Sequence, residues 1–218
     1  MLEIKPQIEG TSIVLLGSFN PKIFQPSWLA SEGLVPKEEA DSSEISVIHP
    51  EISVFSINKI DYQINRDQFL VSTSFQPSFK ILKDLVIGIF DLLHFTPIHA
   101  LGMNRDFHFP MSSEKDWHSF GDKLAPKEIW SDILKKPGTR TLVMEGQRPD
   151  ECTGFIRVKA EPSIKVKYGI FININDHYQL QDPQSEKGCD EIVHILKDNW
   201  ENSMSCSEEI AQKLLLAK

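Results

Sequence analysis

The chain has 218 residues, 40% of them hydrophobic and 25% charged, which is an ordinary globular composition with enough length to bury a core without disulfides or metals. Collagen-like, coiled-coil and low-complexity classes are excluded on that basis. Lys and Arg number 23 against 31 Asp and Glu, a formal net charge of -8, so general attraction to nucleic acid or to an anionic membrane is not expected. The charge is uneven. Residues 123–167 hold ten Lys/Arg and six Asp/Glu, a net of +4, which leaves -12 for the remainder and makes a local basic face available.

Cys152, Cys189 and Cys206 are an odd, widely spaced set with no C-x-x-C, which favours neither a disulfide framework nor a zinc ribbon and fits a reducing cytoplasm. The run Ile13-Val14-Leu15-Leu16 is short and has Glu3, Lys5 and Glu9 before it, unlike an export signal. Later apolar runs such as Leu85–Phe90 fall short of the ~18–20 residues a membrane span needs. No export, no membrane span and no cofactor are expected.

In chain order, Ser12–Gly17 is a first strand, followed by a crossover, Phe19–Leu34, that carries Phe24, Trp28 and Leu29 among prolines. So aromatic a segment has to pack on something: its own sheet, or another subunit or protein. Glu44–Ile57 is split by Pro50 into two alternating strands, and Ile60–Asn65 with Phe69–Ser74 forms a hairpin turning at Asn65-Arg66-Asp67. The period then changes: Leu82, Leu85, Val86, Ile89, Phe90 and Leu93 make one apolar helical stripe between Pro77 and Pro97.

Ile98–Phe109 is a long strand with Leu101, Met103, Phe107 and Phe109 on one face, interrupted only by Arg105. Ser112-Ser113 before Glu114 and Asp116 starts a helix with Trp117, Phe120 and Leu124 inside, and Pro126 starts a second one through Ile129, Trp130, Ile133 and Leu134. Three strands, Thr139–Glu145, Gly154–Ala160 and Ile164–Ile174, precede a helix containing Ile192, Val193, Leu196 and Trp200, and a last helix is expected over Ser207–Leu216.

The expectation is therefore an α+β protein of two antiparallel strand-rich halves, 1–96 and 97–218, sharing one core. Each half reads strand, crossover, meander of about three strands, helix, an order that suggests internal duplication. This order resembles the SecB export-chaperone fold, with two such units in one chain; the resemblance lies in element order, gives no residue a role, and implies a chaperone-like protein binder. A strand like Ala100-Leu101-Gly102-Met103-Asn104 before a helical segment also resembles sporadically distributed bacterial proteins, which implies a bacterial cytoplasmic protein.

No P-loop, G-x-G-x-x-G, H-E-x-x-H or G-x-S-x-G occurs in the sequence, so the corresponding nucleotide, dinucleotide, zinc and hydrolase geometries lack their local signatures. Ser112-x-x-Lys115 is better read as a helix start. The main polar constellation is Asn104-Arg105-Asp106-Phe107-His108 with His118 beyond it, where Asp106 could orient His108 or His118 for proton transfer in a small hydrolase or transferase. Such a cluster is more often a solvated sheet face. His94, His99, His108, His118, Asp176 and His177 lack metal-ligand spacing, and no metal is expected.

Pairing Val158 with Val166 and Ile156 with Tyr168 stacks Arg157 opposite Lys167 and Lys159 opposite Lys165 on one face. Four cations so placed repel, and either acids such as Glu145 on the neighbouring strand or an anionic partner offsets them. The function expected overall is a non-enzymatic protein-binding or assembly component that binds another protein or itself. Phe24, Trp28, Arg157, Lys159, Lys165 and Lys167 are its candidate contacts, and nucleic acid or another anion is an alternative ligand of the basic hairpin.

Overall fold

The computed structural model describes residues 4–181 and 189–216. Among these residues nine strands form one antiparallel sheet: β1 (Ile8–Gly17), β2 (Glu44–His49), β3 (Ile52–Ile57), β4 (Ile60–Asn65), β5 (Gln68–Thr73), β6 (Ile98–Pro110), β7 (Leu142–Gln147), β8 (Gly154–Pro162) and β9 (Gly169–Gln179). Six α-helices among the described residues accompany them: α1 (Pro26–Ser31), α2 (Lys37–Asp41), α3 (Phe79–Leu92), α4 (Glu114–Leu124), α5 (Glu128–Ser131) and α6 (Asp190–Leu216). The protein is α+β. None of the described helices is long and apolar enough to cross a membrane.

Across the sheet the order is β2-β3-β4-β5-β1-β6-β9-β8-β7. The same closure occurs twice. After the α1–α2 crossover a meander returns its last strand, β5, to pair with β1, and after the α4–α5 crossover a second meander returns β9 to pair with β6. The two first strands then pair with each other, Ile13 opposite Met103 and Leu15 opposite Leu101, which joins the halves at the centre.

Alternation decides what this sheet covers. In β4, Ile60, Tyr62 and Ile64 are buried while Asp61 and Gln63 are exposed, so one face takes the helices and the other stays open. Ile13, Leu15, Phe69, Val71, Leu101 and Met103 join the α3 stripe (Leu82, Val86, Ile89, Phe90) and the α6 residues Ile192, Leu196 and Trp200 in one core that spans both halves. A second cluster sets Phe107, Phe109, Ile170, Ile172 and Ile174 against Trp117, Phe120 and Leu124 of α4 and Ala211 of α6.

Local signals act as their chemistry dictates. Asn65 Oδ1 accepts from the backbone N–H of Asp67 (2.8 Å) and Gln68 (2.7 Å) and so makes the β4–β5 turn. Ser113 Oγ accepts from the N–H of Asp116 at 3.1 Å and caps α4. The C-terminal region departs from expectation: the two expected helices are one, 27 residues long. No Gly or Pro interrupts this segment, and buried Ser203, Ser207 and Ala211 allow it to run flat against the sheet.

Candidate functional site

The crossover folds onto its own sheet. Phe24 is 2% exposed and its ring centroid lies 5.2 Å from that of Phe69 and 5.9 Å from that of Trp28. Phe24 is therefore core rather than partner surface, because it covers the face of β5 that carries Phe69; Trp28 is half-buried at the rim. Of the two packing alternatives, the structure takes the intramolecular one.

The basic hairpin needs a change of register. β8 and β9 pair Arg157 with Asn175, Lys159 with Asn173 and Val158 with Ile174, so Lys165 and Lys167 face neither Arg157 nor Lys159. Residues 163–168 are not strand but turn. Ser163 Oγ accepts from the N–H of Lys165 (3.1 Å) and Val166 (3.0 Å), and Tyr168 takes a left-handed φ of 50°, so the chain reverses after Pro162 instead of continuing in the alternating register that Val166 and Tyr168 suggest. Arg157 is held by Glu145 on β7 at 2.7 Å and Lys159 by Glu161 at 3.0 Å. The acids on the protein offset these two cations.

The polar constellation divides. Asn104 donates to Ser12 Oγ at 3.2 Å on the open face, while Asp106 and His108, two and four residues on, line a cavity of about 360 Å³ on that same face. Its floor is β1, β5 and β6, and the 163–168 turn leans over it. His118 is elsewhere, exposed on α4 with Nε2 3.9 Å from Glu114 Oε1, beside a cavity of about 100 Å³ on the helical side of the sheet. The sheet therefore stands between His118 and the pair Asp106/His108, and these three do not form one site.

Ser163 joins His108 instead, with Oγ 2.8 Å from Nδ1. Because Ser163 Oγ already accepts two backbone N–H groups, its hydroxyl hydrogen is the one left to donate, which assigns Nδ1 as acceptor and puts the imidazole proton on Nε2. The same two bonds occupy the oxygen lone pairs that a nucleophile would use. The geometry is that of a turn anchored to a sheet. Sequence alone did not flag Ser163, although the Pro-Ser-x-x pattern of a hydroxyl-capped turn is its visible signal.

Burial, helped by the Lys165 ammonium and opposed by Asp106, pulls the His108 pKa below its ordinary 6.5, and burial also lowers that of His177. An imidazole with a depressed folded-state pKa binds fewer protons folded than unfolded, so stability rises with pH across the interval below 6.5 and levels off above it. The protein should therefore lose stability in urea melts between about pH 7.5 and about pH 5. His108→Gln should flatten that dependence, and an unchanged slope in the variant refutes the assignment.

One further surface is open. α5 carries Ile129, Trp130, Ile133 and Leu134 in the segment it begins, 76%, 50%, 68% and 51% exposed. Among the described residues β7 ends the sheet with β8 as its one neighbour, and it shows Val143 and Met144 to solvent. The stripe at 129–134 has helical spacing, which reads as core; the structure leaves it uncovered.

No protein-family model matches the chain, and no curated protein does. Among solved structures the chain is similar to DynU16, a protein of the dynemicin biosynthetic locus, at 14% identity over 93% of this chain and 98% of that chain, with a TM-score of 0.26. A likeness that low carries no argument, so function is argued from geometry alone.

Proposed function

We propose that this chain is a non-enzymatic protein-binding or assembly component of the bacterial cytoplasm that self-associates through β7, with a SecB-like holdase as the special case in which an unfolded client takes the same edge. The observation that carries the reading is the undefended character of β7. Edge strands are normally blunted by bulges, prolines or lysines. β2, at the opposite edge, has a register shift between Ile45 and Val47 and runs into Pro50. β7 keeps six unbroken pairs with β8, from Leu142–Ala160 to Gln147–Phe155, and contains neither Lys nor Pro.

Side-chain direction supports a two-fold partner. Antiparallel pairing of β7 with a second β7 about Met144 sets Met144 against Met144, Val143 against Glu145 and Leu142 against Gly146. Faces match and no like charges meet. Centring on Glu145 would oppose two carboxylates, which is unfavourable. Such pairing also satisfies the outward N–H and C=O groups of both strands.

Light scattering on the purified chain tests this. Wild type should elute with about twice the 24.9 kDa chain mass. Met144→Lys opposes two ammonium groups at the axis and should give the monomer with an unchanged circular dichroism spectrum, since Met144 is 63% exposed. Wild-type protein that remains monomeric to about 0.1 mM, a concentration at which even weak interfaces form, overturns the reading.

A further inference from the structure

Two segments at one end of the sheet carry apolar residues out into solvent. The first is the segment begun by α5, where Ile129, Trp130, Ile133 and Leu134 are all exposed. The N–H groups of Ile133 and Leu134 both donate to the Trp130 carbonyl, at 3.0 and 2.7 Å, so the helical turn continues to Leu134, and Lys136, at a left-handed φ of 55°, ends it. By the 3.6-residue period these four side chains share one side of the turn, and Glu128 and Asp132 fall on the other. The second segment is the 163–168 turn, where Ile164 is 97% exposed.

Pairing brings the two together. β7 starts at Leu142 opposite Ala160, and the 163–168 turn begins where β8 stops. Thr141, which leads into β7, donates from Oγ1 to Glu161 Oε2 at 3.2 Å, and Lys127, just before α5, shares the wall of the 100 Å³ cavity with Glu161 and Pro162. Residues 114–140 and the 163–168 turn together hold eight Lys/Arg against five Asp/Glu, a net of +3, which leaves -11 for the remainder of the chain. Lys135, Lys136, Arg140, Lys165 and Lys167 make no ion pair among the described residues. The apolar tips are thus ringed by cations that the protein itself does not neutralise.

We infer that this end of the molecule docks on an anionic lipid bilayer. Ile129, Trp130, Ile133, Leu134 and Ile164 enter the interface, and the five cations meet the lipid phosphates and carboxylates. The four side chains of the α5 segment project from the surface instead of lining a groove, and a bilayer yields to a projection where a folded partner would need a matching pocket. Tryptophan among aliphatic residues suits the headgroup boundary. An apolar insert with a basic patch supplies the two signals that hold a peripheral protein where one alone does not. The acidic remainder is repelled by the same surface, so the molecule lands on this end. None of this depends on β7 pairing.

Sedimentation with sucrose-loaded vesicles of phosphatidylcholine, alone or with about one-third phosphatidylserine, is the test. The full chain should pellet with the anionic vesicles only and lose most of that binding at about 0.5 M salt. Brominated phosphatidylcholine in those vesicles should quench tryptophan fluorescence, and Trp130→Phe should remove most of the quenching. Ile129→Ser with Ile133→Ser should weaken binding about tenfold. Lys135→Glu with Lys136→Glu should weaken it more, since each cation at such a surface contributes about fivefold, and Ile164→Ser should act in the same direction. These positions are exposed, so circular dichroism should not change, and if one pair fails to fold the other decides. No pelleting with anionic vesicles, equal pelleting with neutral ones, or undiminished binding by the folded variants overturns the inference. So does a wild-type dimer that ignores vesicles and falls to monomer in Ile129→Ser with Ile133→Ser, which makes a second copy the occupant.

Discussion

Replacing Arg105 by Ala should cost the protein about 3–5 kcal/mol, the range for removing one partner of a buried ion pair. The side chain is 3% exposed in the middle of β6, on the face that is otherwise apolar. Its Nη2 meets Glu9 at 2.7 Å and its Nη1 meets Glu208 at 3.3 Å, while the guanidinium lies 5.0 Å from the ring of Phe79 and 4.8 Å from that of Phe107. Burial lowers its pKa from the ordinary value, and the two glutamates push it back; at neutral pH it is charged. Nε has no hydrogen-bond partner among the described residues, so the site carries an uncompensated cost even in the wild type.

Glu9 is the partner that matters, being largely buried, whereas Glu208 is 58% exposed and its pairing is screened. Arg105→Ala leaves the Glu9 carboxylate in an apolar setting and removes the planar surface that two aromatic rings pack against. Arg105→Met with Glu9→Gln removes both charges while keeping the volume, and should recover most of the loss. Urea melts decide the matter: a midpoint that falls in Arg105→Ala and returns in the double variant, at constant m-value, is expected. Equal loss in both would show that packing and not charge is what Arg105 supplies.

What could be read from the residues followed from local periodicity. The 3.6-residue stripe from Leu82 to Leu93, the alternation over Ile98–Phe109, the Asn65 turn and the Ser113 cap each state a conformation within a few residues, and each is found where expected. The unreadable parts depend on contacts across the chain. Val166 and Tyr168 continue the alternation of a strand, yet the side chain of Ser163 satisfies two backbone donors and turns the chain first, which moves the partner of Arg157 from Lys167 to Asn175. Similarly, nothing near Ile129 and Trp130 says that no second layer will reach them, because that is decided by where the sheet ends.

The candidate site was half legible for the same reason. Asp106 and His108 sit two apart on one strand, so a shared face follows from the period of two. Ser163 reaches His108 only because β9 pairs with both β6 and β8 and brings the turn after β8 alongside it. His118 is close in sequence but belongs to a helix on the other side. Sequence proximity gave the wrong neighbour, and sheet order supplied the right one.

Phe69→Ala should be nearly as damaging, about 3–5 kcal/mol for an aromatic removed from a packed core. Phe69 is fully buried on β5, with ring centroids of Phe24, Phe90 and Phe19 at 5.2, 5.1 and 6.1 Å. These three neighbours belong to the crossover and to α3, so one side chain ties two separate segments to the sheet. Its loss leaves a cavity that Phe90, on a 14-residue helix held along its whole buried stripe, cannot move to fill. Phe24 can move, because it sits in the non-helical stretch Pro21–Gln25 just before the six-residue α1. The crossover should therefore loosen before the sheet melts, and limited proteolysis should cut Phe69→Ala near residues 22–32 at urea concentrations where wild type resists. Phe69→Leu keeps part of the volume and should fall between the two. Cleavage appearing first elsewhere, with the crossover still protected, would place the anchor of that segment at Leu29 or Phe19 and not at Phe69.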